Sequence, residues 1–416
     1  MTDTATHIPG EKARLGAPAI AGFTEEGENL SPLNAPEGHS HGKGAPVPDS
    51  SRAGRLTSYQ LEDFAALTGR EEDFRFTPLK RLGGLHKDAL TGAAPSIEVT
   101  GSDVVSVETV AMTDARVGSA GIPEDRLSAN AWRYAADATI VTIPANAENV
   151  LSTLRITGAG TEAAAQHIVL VAEPNSRGVI VLDHVGTAVV SQNVEFLVKD
   201  GAELTVISLQ AWDEKTVHAS SQQAKIAKDA KFKHIAVTFG GETVRLTPSA
   251  RFSGQGGEVE LFGLYFADAG QHLEHRLFVD HGTPNCKSNV LYKGALQGKD
   301  AHTVWVGDVL IRKEAMGTDS YEANRNLVLS DGTRCDSIPN LEIETGLING
   351  AGHASTTGRF DDEHLFYLMA RGIDEKTARR LVVRGFLNEI VQQIRIPELE
   401  ERLTETIELE LAATES

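Results

Sequence analysis

The 416-residue sequence contains little cysteine, comparatively little positive charge and no long apolar run. Its two cysteines, Cys286 and Cys335, exclude a disulfide framework and a Cys₄ metal site made by this chain alone. Lysine and arginine number 39 against 58 acidic residues, and the net charge of −19 argues against nucleic acid or a membrane surface as the main partner. No apolar run approaches the ~18 residues of a membrane span, and no secretory signal is visible. We therefore expect a cytoplasmic protein with reduced thiols.

Motifs for the common catalytic chemistries are also missing. The segment nearest to a phosphate loop, Gly294–Asp300, has three residues between its glycines where a P-loop has four. Asp300 stands where a Ser or Thr should reach magnesium, and its charge would repel phosphate. The sequence has no Gly-x-Ser-x-Gly elbow, no His-Glu-x-x-His and no Cys-x-x-Cys. We therefore predict no catalytic residue and no nucleotide hydrolysis by the chain itself.

The first part of the sequence predicts a tail. Residues 1–55 are rich in Gly, Pro, Ser and Glu and show little apolar periodicity, so they cannot bury enough surface to offset their ordering entropy. His39 and His41 could bind a metal loosely, which would give the tail a role in metal storage or delivery. A solvated linker is the favoured interpretation of this segment.

Order is expected to begin near residue 56. Residues 56–94 predict a small helical element, because Ser58 could cap a helix whose apolar side includes Leu61 and Phe64. Gly69 would end that helix.

From about 95 to 350 the sequence is typical of β-structure. Runs rich in Val, Ile, Leu and Thr, such as Gly178–Leu182 and Val259–Phe266, alternate with Gly, Asp or Asn. No amphipathic segments of about 10–15 residues alternate with them, so a doubly wound βαβ sheet is not expected. A sandwich, a barrel and a parallel solenoid all fit the pattern. The large number of strands without a break favours the solenoid, although no clean repeat length is visible.

The densest histidine cluster is His272-Leu-Glu274-His275, with His281 further along. On a strand, His272 and Glu274 would share one face and His275 would point to the other. One strand therefore cannot present both imidazoles of this pair to one metal without a bulge. Polar residues satisfied by their neighbours are the favoured interpretation, and a metal site is the alternative.

Residues 351–416 predict a C-terminal helical domain. Gly372 is a suitable helix stop, and Asp374 can cap the helix that follows. In the last helix an apolar residue recurs every four positions on an otherwise acidic surface, at Leu399, Leu403, Ile407 and Leu411. Packing on the body of the chain is the favoured interpretation of this stripe, and docking to another subunit is the alternative.

Several segments of the sequence carry a resemblance to a known family. In the last third these are Asn324–Ser330, Ile338–Ile343, His353–Asp361 and Leu365–Ile373. They resemble the SufB/SufD family of iron–sulfur cluster assembly proteins. The chain length favours a SufD-like member, and Phe74–Leu82 resembles the SufD segment that enters the core.

The resemblance implies a mainly β protein, with a right-handed parallel β-helix core flanked by small N-terminal and C-terminal α-helical elements. It implies a non-catalytic scaffold subunit that pairs with a SufB-like paralogue and a SufC-like ATPase, with a homodimer as the alternative where SufB is absent. Iron or an iron–sulfur cluster would be held transiently at the interface with SufB, and not stably by this chain alone. The opposing hypothesis is a β-helix enzyme acting on acidic polysaccharide, against which the charge and the missing secretory signal argue.

The resemblance also implies site residues. His353 matches a family histidine implicated in iron acquisition or nascent cluster binding, and imidazole suits ferrous iron. Several SufD relatives carry a Cys two residues earlier, where this chain has Ala351. Cys335 is a weaker candidate ligand; a small buried side chain is the favoured interpretation for it and for Cys286. The residues matching the SufC contact are Phe366, Tyr367, Arg371 and Gly372.

Overall fold

The computed structural model describes residues 54–360 and 362–413. The predicted tail, with His39 and His41, lies outside the described residues. The strands are β1 (Ser96–Gly101), β2 (Ser106–Val110), β3 (Ala138–Ile143), β4 (Val150–Thr157), β5 (Gly160–Ala172), β6 (Arg177–Gly186), β7 (Ala188–Val198), β8 (Glu203–Trp212), β9 (Val217–Ile226), β10 (Lys231–Thr238), β11 (Thr243–Phe252), β12 (Glu258–Ala267), β13 (His272–His281), β14 (Lys287–Leu296), β15 (His302–Ile311), β16 (Asp319–Val328), β17 (Arg334–Ile343) and β18 (Gly350–Arg359). The α-helices are α1 (Arg126–Tyr134), α2 (Asp362–Met369), α3 (Glu375–Val391) and α4 (Pro397–Ala413).

The strands form a parallel β-solenoid of two facing sheets. The first sheet has the order β1-β4-β6-β8-β10-β12-β14-β16-β18, and the second has the order β17-β15-β13-β11-β9-β7-β5-β3-β2. From β3 onward the chain visits the two sheets alternately, and from β5 onward each strand pairs in parallel with the strand of the preceding coil. Among the strands that the structure describes, only β1 and β2 pair antiparallel, with β4 and β3 respectively. The predicted parallel β-helix is confirmed, and the sandwich and barrel alternatives are wrong.

The coils differ in length, which explains why no repeat is visible in the sequence. Arg177 pairs with Glu203, 26 residues later, whereas Lys287 pairs with Asp319, 32 residues later. The turns between the strands, which form the corners of the coils, differ in length accordingly. At one of them Asn175 (φ 57°) and Gly201 (φ 66°) adopt the left-handed conformation, which these two residue types tolerate better than others.

Both faces of the sheets are covered in the middle of the solenoid, and every residue of β13 is buried. The interior between the sheets holds large side chains such as Phe196, Tyr265 and Trp305. On the outer side of the first sheet, Leu387 of α3 and Leu403 of α4 join a cluster with strand residues that include Ile235. Parallel sheets need this two-sided cover.

The apolar stripe of α4 therefore packs on the body of the chain. Its four members, Leu399, Leu403, Ile407 and Leu411, are all buried in the cluster that α3 and α4 make with the first sheet. The favoured interpretation of the stripe is confirmed, and the stripe is not free to dock another subunit.

The segment that precedes β1 covers the outer side of the second sheet. Leu82 and Leu85 pack there with Leu127 of α1 and with Val189 and Val217. The α-helix expected after Ser58 is absent from the described residues of this segment, which forms single 3₁₀ turns at Leu61–Asp63, Glu72–Phe74 and Leu79–Arg81.

The apolar residues of the expected helix are nevertheless buried. Leu61 and Phe64 pack together against Ala129 of α1. Contact with a neighbouring element holds them in place, so a continuous helix is not needed to bury them. The sequence analysis missed α1 itself, although Asp125 and Ser128 form a capping box that was readable in the sequence.

Among the described helices, none is both long and apolar enough to cross a membrane.

Candidate functional site

The candidate site lies where the solenoid ends at its C-terminal side. Here β17 and β18 are the last strands of their sheets, and we call these two strands and the side chains between them the open end. No residue of β17 or β18 is buried, in contrast to β13. Interior-facing side chains therefore meet solvent at the open end, and each of the two strands presents a backbone edge.

His353 lies on the last strand, beyond the predicted start of the helical domain at residue 351. Its partner in the β16–β18 pairing is Glu322. Both side chains face the interior, since the neighbouring β16 residue Asn324 donates a hydrogen bond to the interior Tyr265 hydroxyl. The His353 side chain is 43% exposed, and its Nδ1 lies 3.9 Å from Glu322 Oε1. The histidine thus stands between solvent and a buried carboxylate.

Glu322 was missed by the sequence analysis. Its exposed fraction is 1%, and neither carboxylate oxygen accepts a hydrogen bond of ordinary geometry. Burial raises the pKa of Glu322 to about 8; the charge of Asp308 adds to this and the backbone amide of Asn340 partly opposes it. Gly307 leaves room for the carboxylate, because a Cβ atom there would stand 2.4 Å from Glu322 Oε2. No local signal marks this residue, because a Glu in an alternating strand normally faces solvent.

Cys335 lies on β17, with its Sγ 3.7 Å from Thr357 Oγ1. Burial raises the pKa of the Cys335 thiol. Thr357 is four residues after His353 on a strand that rises about 3.3 Å per residue, so Cys335 and His353 are offset by roughly 13 Å. The two predicted ligands do not meet, and Ala351 offers no ligand atom in its side chain. In the part of the chain that the structure describes, no group of three His, Cys, Asp or Glu residues could hold a metal ion.

A ladder of polar contacts leads inward from the open end. Ser355 Oγ donates to Ser337 Oγ at 2.7 Å, and Ser337 Oγ donates to Asn324 at 2.7 Å. Asn324 donates to the Tyr265 hydroxyl at 2.9 Å, and the Tyr265 ring stacks on His275 with 4.9 Å between the ring centres. Polar side chains are therefore a regular part of the interior near this end.

The histidine cluster divides between the two faces of β13, as predicted. His272 Nε2 lies 3.2 Å from Glu274 Oε2 on the outer face, whereas His275 faces the interior. Burial favours a higher pKa for Glu274, but the charge of Arg245 and the contact with His272 outweigh it and lower that pKa to about 2. His272 also contacts His302, with 3.1 Å between the two Nδ1 atoms. The polar groups of this cluster contact one another, which fits the favoured interpretation that they have a structural role.

Two other sequence features form no site. Gly294–Asp300 comprises the end of β14 and the turn that follows, in which Gly298 and Asp300 have positive φ angles. Gly294 leaves space for an aromatic ring, since its Cβ would lie 1.9 Å from Tyr265. Cys286 is fully buried, and its Sγ contacts Thr283 Oγ1 at 3.3 Å.

The residues predicted to contact a SufC-like partner lie on and just after α2. Phe366 is 74% exposed and Tyr367 is 59% exposed. The Arg371 guanidinium lies 3.6 Å from the centre of the Tyr367 ring, and Gly372 has a φ of 83° after the helix end. The structure thus groups these four residues in one short segment, which presents two large aromatic side chains to solvent, as docking surfaces do.

The sequence also matches known proteins. A family model described as "SUF system FeS cluster assembly, SufBD core domain" matches residues 154–386. The chain is 51% identical to "Iron-sulfur cluster assembly SufBD family protein Rv1462" of Mycobacterium tuberculosis, over 92% of this chain and 96% of that protein. It is 51% identical to ML0594 of Mycobacterium leprae, which bears the same description, over 87% of this chain and 95% of that protein. Rv1461 of Mycobacterium tuberculosis, again so described, is 28% identical over 52% of this chain and 25% of its own length.

Proposed function

Because the chain belongs to the SufBD family of iron–sulfur cluster assembly proteins, we propose that it is the SufD-like scaffold subunit of a SUF assembly complex. In this role it pairs with a SufB-like paralogue, binds a SufC-like ATPase and supports iron acquisition and the assembly and transfer of clusters. It carries out no turnover of its own. The observation that carries the proposal is the open end of the solenoid.

The open end suits pairing with a second solenoid. The edges of β17 and β18 offer backbone groups to strands of another chain, which is how exposed sheet edges recruit partners. Apolar side chains flank the edges: Leu347, in the turn between the two strands, is 67% exposed, and Ile343 at the end of β17 is 44% exposed. A partner docked here would cover both the edges and the apolar side chains.

The relatives support a paralogous partner. Mycobacterium tuberculosis contains one family member that matches this chain over nearly its whole length and a second that matches only about half of it. Two family members of different length in one organism are what a SufB–SufD pair requires. The chain described here corresponds in length to the first of them.

The exposed segment after the solenoid supports an ATPase partner. The sequence has no phosphate loop, so nucleotide hydrolysis in the complex must come from another subunit. Phe366 and Tyr367 provide an apolar contact on α2, and Arg371 provides a charged one beside them. Nucleotide-dependent movement of the ATPase would then act directly on the chain segment that follows β18.

Iron is the substrate in this function, and His353 is the residue that would meet it. Its half-exposed imidazole stands at the surface that a SufB-like partner would cover, so a thiolate from the partner could share the ion. Cys335 is excluded from that ligand set by its offset from His353 and is assigned to packing in the last coil.

A charge placed on the open end tests the pairing. Ser355 is exposed on β18, and Ser355→Arg would set a long cationic side chain across the surface that the partner needs. Ser106, exposed on β2 near the opposite end of the solenoid, provides the matched control Ser106→Arg. The full chain and both variants are mixed with the SufB-like and SufC-like proteins of the same genome and analysed by size-exclusion chromatography with light scattering.

We expect the unmodified chain and Ser106→Arg to co-elute with the SufB-like protein and Ser355→Arg to elute without it. Co-elution of Ser355→Arg to the same extent would move the interface away from the open end. Failure of the unmodified chain to form any complex would contradict the proposed function.

A further inference from the structure

Two other deeply buried glutamates accept hydrogen bonds of ordinary geometry, and Glu322 accepts none. Glu195 accepts hydrogen bonds from the amides of Gly118 at 2.6 Å and Ala120 at 2.8 Å. Glu274 accepts a hydrogen bond from Thr77 at 2.8 Å and lies 3.4 Å from the Arg245 guanidinium. Glu322 is equally buried, and neither of its oxygens accepts a hydrogen bond of ordinary geometry. A buried carboxylate without donors costs several kcal/mol, so its position calls for a group that it binds.

Two residues flank the Glu322 carboxylate, one on each side. Gly307 makes room for the carboxylate against the second sheet, and His353 faces it from the neighbouring strand. The 3.9 Å between His353 Nδ1 and Glu322 Oε1 is too long for a hydrogen bond. With metal–ligand bonds of about 2.0–2.2 Å, two ligands of one ion stand roughly 3–4 Å apart, so the gap suits a cation between them.

We propose that Glu322 is a second protein ligand at the open end, so that this chain offers a carboxylate–imidazole pair, Glu322 and His353, to a divalent cation. The inference deepens the proposed function and rests on it for the identity of the cation, ferrous iron. Carboxylate and imidazole together are an established ligand combination for Fe²⁺. The remaining coordination positions face solvent and the docked partner, so the ion can be held loosely here and passed on.

This arrangement explains why the carboxylate sits just inside the open end. A half-exposed imidazole alone would bind Fe²⁺ weakly and without selectivity, whereas an adjacent buried anion adds attraction that solvent screens poorly. The cation enters past His353 and replaces the proton that Glu322 carries below its raised pKa. The competing interpretation is a carboxylic acid that stays protonated and has only a packing role.

Anaerobic titration of the full-length chain with Fe²⁺, followed by Mössbauer spectroscopy, distinguishes the two. The variants are Glu322→Gln, which keeps the shape and removes the anionic ligand, Glu322→Asp, which keeps the charge, and His353→Ala. Asp319→Asn is the matched control, since Asp319 is an exposed carboxylate on the same strand. Circular dichroism of each variant confirms the β fold.

We expect the unmodified chain and Asp319→Asn to bind one Fe²⁺ with the same Mössbauer parameters. Glu322→Gln should weaken binding at least tenfold and change the isomer shift, Glu322→Asp should retain part of the affinity, and His353→Ala should abolish binding. Loss of an outer-shell partner of a metal ligand typically costs about 10–100-fold in metal affinity, so removal of a ligand should cost at least as much.

Unchanged binding in Glu322→Gln together with loss in His353→Ala would overturn the assignment of Glu322 and leave the proposed function intact. Unchanged binding in both variants would overturn the iron site at the open end altogether. Absence of any Fe²⁺ binding to the unmodified chain would likewise overturn the inference. The pairing experiment would still test the proposed function independently.

Discussion

The pairing register of each strand decides which of its side chains face the interior of the solenoid, and it can place polar side chains there. On β16 the residues Ser320, Glu322 and Asn324 face the interior, whereas Tyr321 and Arg325 face outward. Because successive side chains of a strand point to opposite faces, the chain could not turn Glu322 toward solvent without turning the whole strand. The carboxylate is held in place by its neighbours.

The raised pKa of Glu322 predicts that the stability effect of Glu322→Gln changes with pH. The folded pKa of Glu322 is about 8, above its ordinary value of 4.5, so between these pH values the folded state binds more protons than the unfolded state. Stability from this group is therefore present at low pH and lost as pH rises toward 8. Glu322→Gln should gain, relative to the unmodified chain, on the order of a few kcal/mol in unfolding free energy between pH 5 and pH 8.

Urea unfolding at the two pH values measures this difference. Asp319→Asn, at an exposed position of the same strand, should follow the unmodified chain at both. Parallel curves for Glu322→Gln and the unmodified chain would contradict the assignment of a raised pKa.

Sequence reasoning reached only half of the candidate site. His353 was found through its place in a family motif, and the structure puts it at an end of the solenoid. Glu322 precedes it by one coil, and finding it required the pairing of β16 with β18, which unequal coil lengths conceal. Cys335 was a weaker candidate from the same family resemblance, but it lies on the second sheet, whereas His353 lies on the first.

At the scale of elements, the C-terminal helices differ in their packing: two of them cover the first sheet, and the third exposes aromatic side chains. α3 and α4 bury their apolar sides against the first sheet. α2 buries Leu365 but exposes Phe366 and Tyr367. Apolar packing holds α3 and α4 against the first sheet. Among the C-terminal helices, α2 therefore remains available to a partner.

This separation predicts that Phe366→Ala weakens binding of the SufC-like ATPase without weakening the fold. Truncation of an exposed aromatic anchor typically costs about 2 kcal/mol or more of binding free energy, close to thirtyfold in affinity. Leu409, 71% exposed on α4, gives the control Leu409→Ala. Isothermal titration calorimetry with the purified ATPase measures both variants, and equal losses in the two would remove α2 from the interface.

The strands and the C-terminal helices could be predicted because their signals are local. Asp374 caps α3 by accepting a hydrogen bond from the Thr377 amide at 3.0 Å, and the α4 stripe has the period of a helix. The segment before β1 could not be predicted in the same way. Its 3₁₀ turns are fixed by contacts with the second sheet, made through Leu82 and Leu85, and no local pattern encodes those contacts.

At the scale of the whole molecule, the interior holds several histidines away from water. Burial lowers the pKa of His184 to about 4, of His275 to about 3 and of His281 to about 4. All three are neutral in the folded state at pH values where the unfolded chain would protonate them. These three histidines therefore favour the folded state at neutral pH over acidic pH.

This placement predicts acid sensitivity between pH 6.5 and about 4. In that window the unfolded state binds more protons, so stability falls as pH falls, by about 1.4 kcal/mol per pH unit for each such histidine. Urea unfolding at pH 6.5, 5.5 and 4.5 measures the slope. His275→Gln should reduce the slope by the contribution of one histidine, about 1.4 kcal/mol per pH unit. A flat profile across this window would contradict the buried, neutral state of these side chains.

The two covers of the solenoid come from opposite ends of the described chain, which has a consequence during synthesis. The buried strand residues beneath α3 and α4 have all left the ribosome once β14 emerges, but the two helices emerge about a hundred residues later. At about 5–20 residues per second, the nascent chain displays a bare apolar wall for on the order of ten seconds. A message truncated before α3 would release a polypeptide whose wall stays uncovered, and such a product would be a natural substrate for chaperones and proteases.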